Sequence, residues 1–294
     1  MFNTDIEYNI YQYIQNTDRP EIDPANLQQF ADDIKAAMIR QFNGDKDEKF
    51  RIRMSSIGKP LRQLCLERDH GFRNGDNPTF KILVAYGDMI EALFMFIMRE
   101  AGVDIVSFDE KVELEIGGTT LVGTYDVVIR AKIEDRVYDI KSCSPWAYEN
   151  KFSSYSSVAR NDSFGYVGQG FGYAEALKMK FGGWIVINKV NGNFKVVGVP
   201  DSIHDSEKDI HMQVIKDNVE HVVQGKPTPP CACAEEETFN GKPTGNIRLN
   251  KSGRFCNYKA DVCHPGLRYL PEVCSKAKNP KMFYYTYVDP KWGV

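Results

Sequence analysis

TLVGTYDVVIRAKIEDRVYDIKS, residues 120–142, reads as two β-strands on either side of a turn at Glu134-Asp135. Val, Ile, Thr and Tyr dominate both halves, the composition that pleated, half-buried strands favour. Each strand nevertheless carries a carboxylate, Asp126 in the first and Asp139 in the second, and Lys141 follows two places on. Residues near a turn on adjacent antiparallel strands face one another, so the two acids share a face if their parities match. A charge on a core element must be paired or bound to a metal. Two carboxylates with the Ile140 carbonyl between them make a hard oxygen set suited to Mg²⁺ or Mn²⁺. The competing reading is an ordinary ion pair between Asp139 and Lys141, which strand spacing also favours. Asp/Glu-x-Lys occurs six times here, at Asp33, Asp47, Asp109, Asp139, Glu149 and Asp289, so context and not the tripeptide selects Asp139.

Outward from this pair the periodicity changes. Upstream, ILVAYGDMIEALFMFIM (82–98) predicts a helix over 81–101, covered on most sides and ended by Gly102, with Glu91 as its unexplained acid. Glu91 is either a second metal ligand, a cap-side acid or a core salt-bridge partner. Helices are also expected over 5–15, 25–41, 55–69, 164–180 and 205–223, a loop over 43–49, and strands over 111–116, 120–130, 136–140, 183–189 and 194–199. Residues 142–163, with seven serines, are expected to form a mobile loop. The order helix, three strands, helix, strands gives an α/β fold with a mixed central β-sheet flanked by helices. Three regions follow: a helical part over 1–50, a core over 51–225, and a basic, cysteine-containing, irregular tail over 226–294 packing on that core.

The chain has 294 residues, 42% of them hydrophobic, enough for a sizeable core. Its beginning, MFNTDIEYNI, carries acids where an export signal carries bases, and 82–98 is too short and too charged to span a bilayer. A protein of the cytoplasm, without a membrane partner, is therefore expected. Net charge is −3, yet residues 242–281 hold nine Lys or Arg against Asp261 and Glu272, a local +7. That segment is either a phosphate-binding face or a solvated lysine-rich tail. The seven cysteines are an odd count, which argues against a disulfide framework in such a compartment.

Taken together, Gly87-x-x-x-Glu91, Gly123-x-x-Asp126, Asp139-Ile140-Lys141 and Gln169-x-x-x-Tyr173 resemble the PD-(D/E)xK nuclease superfamily. The likeness is to its RecB-like and lambda-exonuclease-like branch, phage-encoded members included, and covers about residues 52–200. It implies a restriction-endonuclease-like αβββαβ core and a Mg²⁺- or Mn²⁺-dependent deoxyribonuclease, a hydrolase acting as an exonuclease in phage-type DNA degradation or recombination. Glu91, Asp126, Asp139 and the Ile140 carbonyl would bind metal, Lys141 would serve the attacking water, and Gln169 and Tyr173 would line the site. RecB-like members often carry His at the place of Glu91, whereas lambda-like ones carry Glu. Arg62, in SSIGKPLR, would bind a terminal 5′ phosphate, or is simply a solvated helix arginine. DNA is the implied partner, with a recombination or single-strand-binding protein as a further one, in a chain read as a monomer. A structure-specific endonuclease on the same fold and a non-catalytic DNA-binding protein are the alternatives.

Many RecB-like nucleases also hold an iron–sulfur cluster through one cysteine before the core and three after it. Here Leu61 stands at the first position with Cys65 one turn on, and Gly253 stands where a partner of Cys256 and Cys263 would fall. Cys231 and Cys233, alone or with Cys65, would complete a zinc or iron–sulfur site, against the plainer reading of free thiols. Cys143 and Cys274 read as small residues, and His70, His204, His211, His221 and His264 form no recognisable ligand set.

Overall fold

A computed structural model describes residues 4–43, 50–71, 79–131, 134–160 and 162–293, so the loop expected over 43–49 lies almost wholly outside the described residues. The chain forms two compact units, Met1–Lys59 with Asn77–Gln224 and Pro60–Asp76 with Gly225–Val294. The first takes in the expected N-terminal helices and most of the expected core. The second joins a short piece of that core to the tail.

In the first unit, α1 (Asp5–Gln15) and α2 (Pro24–Phe42) start where side chains cap them. Thr4 Oγ1 accepts from Glu7 N–H, and Asp23 Oδ1 accepts from Ala25 N–H ahead of a proline that fits the first helical turn. The helix expected over 55–69 is broken. Met54–Ser56 is a single 3₁₀ turn and α3 (Leu61–His70), in the second unit, begins only after Pro60. Proline disfavours helical geometry at the preceding Lys59 and supplies no N–H. α4 (Phe80–Glu100) matches its expected span, with Gly102 at φ +66° just beyond its end. It is not covered on most sides: Ala85, Ile90, Phe94 and Met98 are buried, while Phe80, Ile82, Leu83, Tyr86, Met89 and Leu93 are exposed.

A strand not anticipated, β1 (Ile105–Phe108), precedes the hairpin of β2 (Lys111–Ile116) and β3 (Thr119–Thr124). The single strand expected over 120–130 is divided. After β3 the chain turns at Tyr125-Asp126 and re-enters a different sheet as β4 (Val127–Arg130). β5 (Asp135–Cys143), β6 (Lys180–Asn188) and β7 (Phe194–Gly198) complete that sheet, in the order β1-β4-β5-β6-β7. Only β5 and β6 run parallel, and the sheet is mixed as the sequence order implies.

Between β5 and β6 lie α5 (Pro145–Glu149), a 3₁₀ turn at Lys151–Ser153, α6 (Tyr155–Arg160) and α7 (Tyr166–Leu177). The serine-rich stretch is thus folded, with Phe152, Tyr155 and Val158 buried. Its serines serve as local caps: Ser144 Oγ accepts from Ala147 N–H and Ser154 Oγ from Ser157 N–H. α8 (Asp201–Val223) closes the unit.

Two cores cover the two faces of the five-stranded sheet. Val137, Trp184, Val186 and Val197 join one with Phe171 and Ala174 of α7; Tyr138, Ile140, Ile185 and Ile187 join the other with Ile10 of α1 and Phe94 of α4. Strand alternation then puts Asp139 and Lys141 on the face of Val137, toward α7. In the second unit the tail expected to be irregular contains an antiparallel sheet, β10-β11-β9-β8, from β8 (Ala234–Phe239), β9 (Lys242–Leu249), β10 (Arg268–Pro271) and β11 (Met282–Tyr287). Gly245 at φ +83° inside β9, with Lys242 and Pro243 before it, hides the alternation that would announce a strand. No helix among the described residues is long and apolar enough to cross a membrane.

Candidate active site

β4 begins at Val127, which pairs with Tyr138, so one step further back along the ladder would set Asp126 opposite Asp139. Opposed residues share a face, and the two carboxylates meet there. Asp126 Oδ2 accepts from Ile140 N–H at 2.6 Å, capping the edge of β5 that β4 has left open. The N–H and C=O of one strand residue leave on the same edge, so the Ile140 carbonyl also points past the end of β4. Asp139 is 3% exposed; its Oδ1 accepts from Lys141 Nζ at 2.7 Å, and its Oδ2 is buried with no hydrogen-bond partner.

Electrostatics tie these groups together. Burial and the nearby Asp139 carboxylate push Asp126 up to about 7, although Lys141 and the Ile140 N–H oppose the shift. The Asp126 and Asp139 carboxylates raise one another's cost of ionisation, a conflict that a proton or a cation between them would relieve. Glu91 joins them from α4. Burial, then the charge of Asp126, holds its carboxyl well above the usual range, with Asp139 adding to the rise and Lys141 opposing it. A Cβ on Gly87, one turn before Glu91, would stand 3.5 Å from Ser142 Oγ, so this part of α4 runs close to the end of β5. Burial alone would lower the pKa of Lys141, but Asp139 and Asp126 outweigh it and hold the ammonium charged.

α7 supplies the wall. Asp162 accepts from Tyr166 N–H and Val167 N–H, both at 2.9 Å, fixing where the helix starts. Gln169 stands one turn before Tyr173 on the same side of the helix. Burial pushes Tyr173 up to about 12, with Asp126, Asp139 and Lys141 within electrostatic reach. Gly123 is glycine for a steric reason: a Cβ there would collide with Met54 and press on the Tyr173 ring.

Of the residues singled out in the sequence, Glu91, Asp126, Asp139, Ile140, Lys141 and Tyr173 therefore come together, with Gln169 one turn before Tyr173 on α7. Arg62 belongs to the second unit, where its guanidinium donates to the Pro229 carbonyl and, at 3.2 Å, to Cys263 Sγ. Two residues that sequence reasoning passed over also line the site. The Tyr166 ring centroid lies 5.5 Å from Lys141 Nζ and 4.0 Å from Lys151 Nζ, so two cations lie near one ring. A Lys seven places after a cap serine gives no such signal in one dimension.

Oxygen donors, mutual repulsion and an orphaned buried Asp139 oxygen are what a hard divalent cation would satisfy. Among the described residues no group of three or more His, Cys, Asp or Glu side chains is already drawn up at ligand spacing around one point. No protein-family model matches this chain, and no curated protein matches it. Similar solved structures include one described as the crystal structure of SSO0001, 11% identical, TM-score 0.44, covering 79% of this chain and 96% of that one.

Proposed function

We propose that the protein is a Mg²⁺- or Mn²⁺-dependent deoxyribonuclease of PD-(D/E)xK type that hydrolyses phosphodiester bonds, acting as an exonuclease in DNA degradation or recombination. The observation that carries this reading is the buried, partnerless Asp139 Oδ2 beside Asp126 and Glu91, with Lys141 bonded to the other Asp139 oxygen. Asp126, Asp139, Glu91 and the Ile140 carbonyl would hold the metal. When bound, it lowers the pKa of a water and offsets the charge that develops on the phosphate. Lys141, kept charged by its neighbours, orients that water and helps stabilise the same charge. Asp126 holds the edge of β5 through Ile140 N–H, and the α7 wall of Tyr166, Gln169 and Tyr173 shields the far side from bulk water.

Catalysis is tested with purified Asp139→Ala and Lys141→Ala on end-labelled linear DNA in Mn²⁺. Loss of cleavage by at least about a hundredfold, with DNA retention unchanged, is expected. Full activity in both variants would discard the nuclease assignment. Covalently closed circles, which an exonuclease leaves intact, separate exonuclease from structure-specific endonuclease. Wild-type protein that cuts neither substrate and shows no Mn²⁺ binding by calorimetry would instead be a non-catalytic DNA-binding protein on this fold.

A further inference from the structure

The β10–β11 hairpin of the second sheet has an inner and an outer face. Tyr285 of β11 is fully buried and its hydroxyl donates to Glu237 at 2.6 Å, so its side of the strand is the inner one. Alternation turns Met282, Tyr284 and Thr286 the other way. On β10, Tyr269 pairs with Tyr284 and Pro271 with Met282, and opposed side chains share a face. The solvated face of an antiparallel sheet ordinarily carries polar side chains. Here the Tyr269 and Tyr284 ring centroids lie 4.6 Å apart, Tyr269 is 55% exposed, and Met282 beside them is also exposed.

Charge is divided between the same two faces. On the inner side Arg248 stands opposite Tyr285, its guanidinium 4.4 Å from the Phe283 ring centroid. It draws Glu237 to 3.3 Å, Glu235 to 3.7 Å and Glu272 to 3.8 Å. Three carboxylates gathered on one arginine leave the basic side chains around them uncompensated. On the outer side Lys259 Nζ lies 5.1 Å from the Tyr284 ring centroid. Two residues beyond Tyr269, roughly 7 Å along the strand, β10 ends at Pro271 and the chain enters a loop where Lys276, Lys278 and Lys281 are exposed. Among the described residues none of these three, nor the exposed Arg268, forms an ion pair.

Exposed lysines alone are what any solvated loop carries. The paired tyrosines decide the reading. Exposed rings with cations beside them match a strand whose bases are unpaired, because every base offers a π-face and every linkage a phosphate. A duplex keeps those faces inside its own stack. We infer that the outer face of the β10–β11 hairpin is a binding platform for single-stranded DNA, with Tyr269 and Tyr284 stacking on bases and Lys276, Lys278 and Lys281 holding phosphates. That the strand is DNA rests on the deoxyribonuclease reading; the platform itself uses no metal and none of the carboxylates of the candidate active site. Stacking accepts any base, so the platform holds the strand without reading its sequence.

The test is the affinity of the full-length protein for a fluorescent single strand of about 20 nucleotides, longer than one such platform covers. Anisotropy is read in EDTA, where metal-dependent cleavage cannot intervene. Tyr269→Ala should weaken binding at least about fivefold, while Tyr269→Phe, which keeps the ring, should bind as wild type. The double variant Lys276→Ala/Lys278→Ala should lower the slope of log Kd against log salt by about 1.4, the share of two phosphate contacts. The same sequence as a duplex should bind more weakly and be indifferent to Tyr269→Ala. Unchanged single-strand binding in Tyr269→Ala, equal loss in Tyr269→Phe, or tighter binding of the duplex overturns the platform. Tighter binding of an RNA of the same sequence overturns the choice of DNA, and no binding of any of these leaves the face to a protein partner and ends the proposal. Should Tyr269→Ala not fold, as read by circular dichroism, an unchanged salt slope in the lysine variant still refutes it. A protein that holds the strand through Tyr269 but leaves DNA uncut in Mn²⁺ keeps the platform and loses the nuclease reading. One that cuts DNA yet binds equally well without Tyr269 does the reverse.

Discussion

Asp126 carries a conflict that the fold does not relieve by itself. Its carboxyl is held up to about 7 by burial and by Asp139, whereas an unfolded aspartate titrates at ~3.9. The folded state therefore binds a proton that the unfolded state has released across that interval. Metal-free stability should fall as pH rises between these values and be least above 7. Asp126→Asn removes the conflict: at pH 8 without metal it should gain about 2 kcal/mol, measured by urea unfolding, while losing cleavage. Saturating Mn²⁺ should raise the melting temperature of wild type and leave Asp126→Asn unmoved. Equal stability of the two proteins at pH 8 would mean that the carboxylates do not repel one another. The alternation of VYDIKS makes the Asp139–Lys141 pairing legible in sequence, but that pattern holds equally for a surface pair. What separates the readings is the partnerless Asp139 Oδ2, and no one-dimensional signal reports a missing partner.

At the scale of elements, α7 departs from its own helix propensity. Gly168, Gly170 and Gly172 all lie in it, and glycine costs ~1 kcal/mol against alanine in a helix interior. A Cβ on Gly170 would strike the Phe181 ring of β6, and one on Gly172 would strike Ile57. The glycines let the helix lie close on the sheet, which is how Tyr166 and Tyr173 reach the carboxylates. Gly170→Ala should then destabilise by about 2 kcal/mol despite the better propensity, read as a lower urea midpoint with an unchanged slope. A stabilised variant would refute the close packing. The elements misread from sequence fail for similar reasons. The apolar run of α4 is read as full burial, yet half its large side chains face outward. The 120–130 run is continuous in composition, and nothing in it marks the turn at Asp126 that parts β3 from β4. That turn delivers the carboxylate to the open edge of β5, so the boundary hardest to read is the one the site depends on.

Across the whole molecule, charge is sorted by segment: the chain totals −3 while residues 242–281 hold +7. One acid just ahead of that basic stretch is buried. Glu237 is fully inaccessible, and accepts from Tyr285 Oη at 2.6 Å, Asn246 Nδ2 at 2.7 Å and Thr244 Oγ1 at 3.1 Å, with Arg248 at 3.3 Å. Burial alone would raise its pKa, but bonds from Asn246, Tyr285, Cys274 and Thr244 outweigh it and hold the carboxyl below its ordinary value. Its position on a short strand among Glu235 and Glu236 gives no hint of this, since three successive glutamates read as a solvated edge. The network links β8 to β9 and β11, so it is the polar centre of the second sheet. A depressed carboxylate stabilises the fold above its unfolded pKa and loses that contribution as pH falls through the folded one. Glu237→Gln keeps the shape but offers an amide N–H₂ to donors that need an acceptor. It should cost about 3 kcal/mol at pH 7, and its stability should change less than wild type between about pH 5 and 3. Chemical unfolding at several pH values, followed by circular dichroism, measures both; parallel pH profiles for the two proteins would show that Glu237 does not couple acid to unfolding.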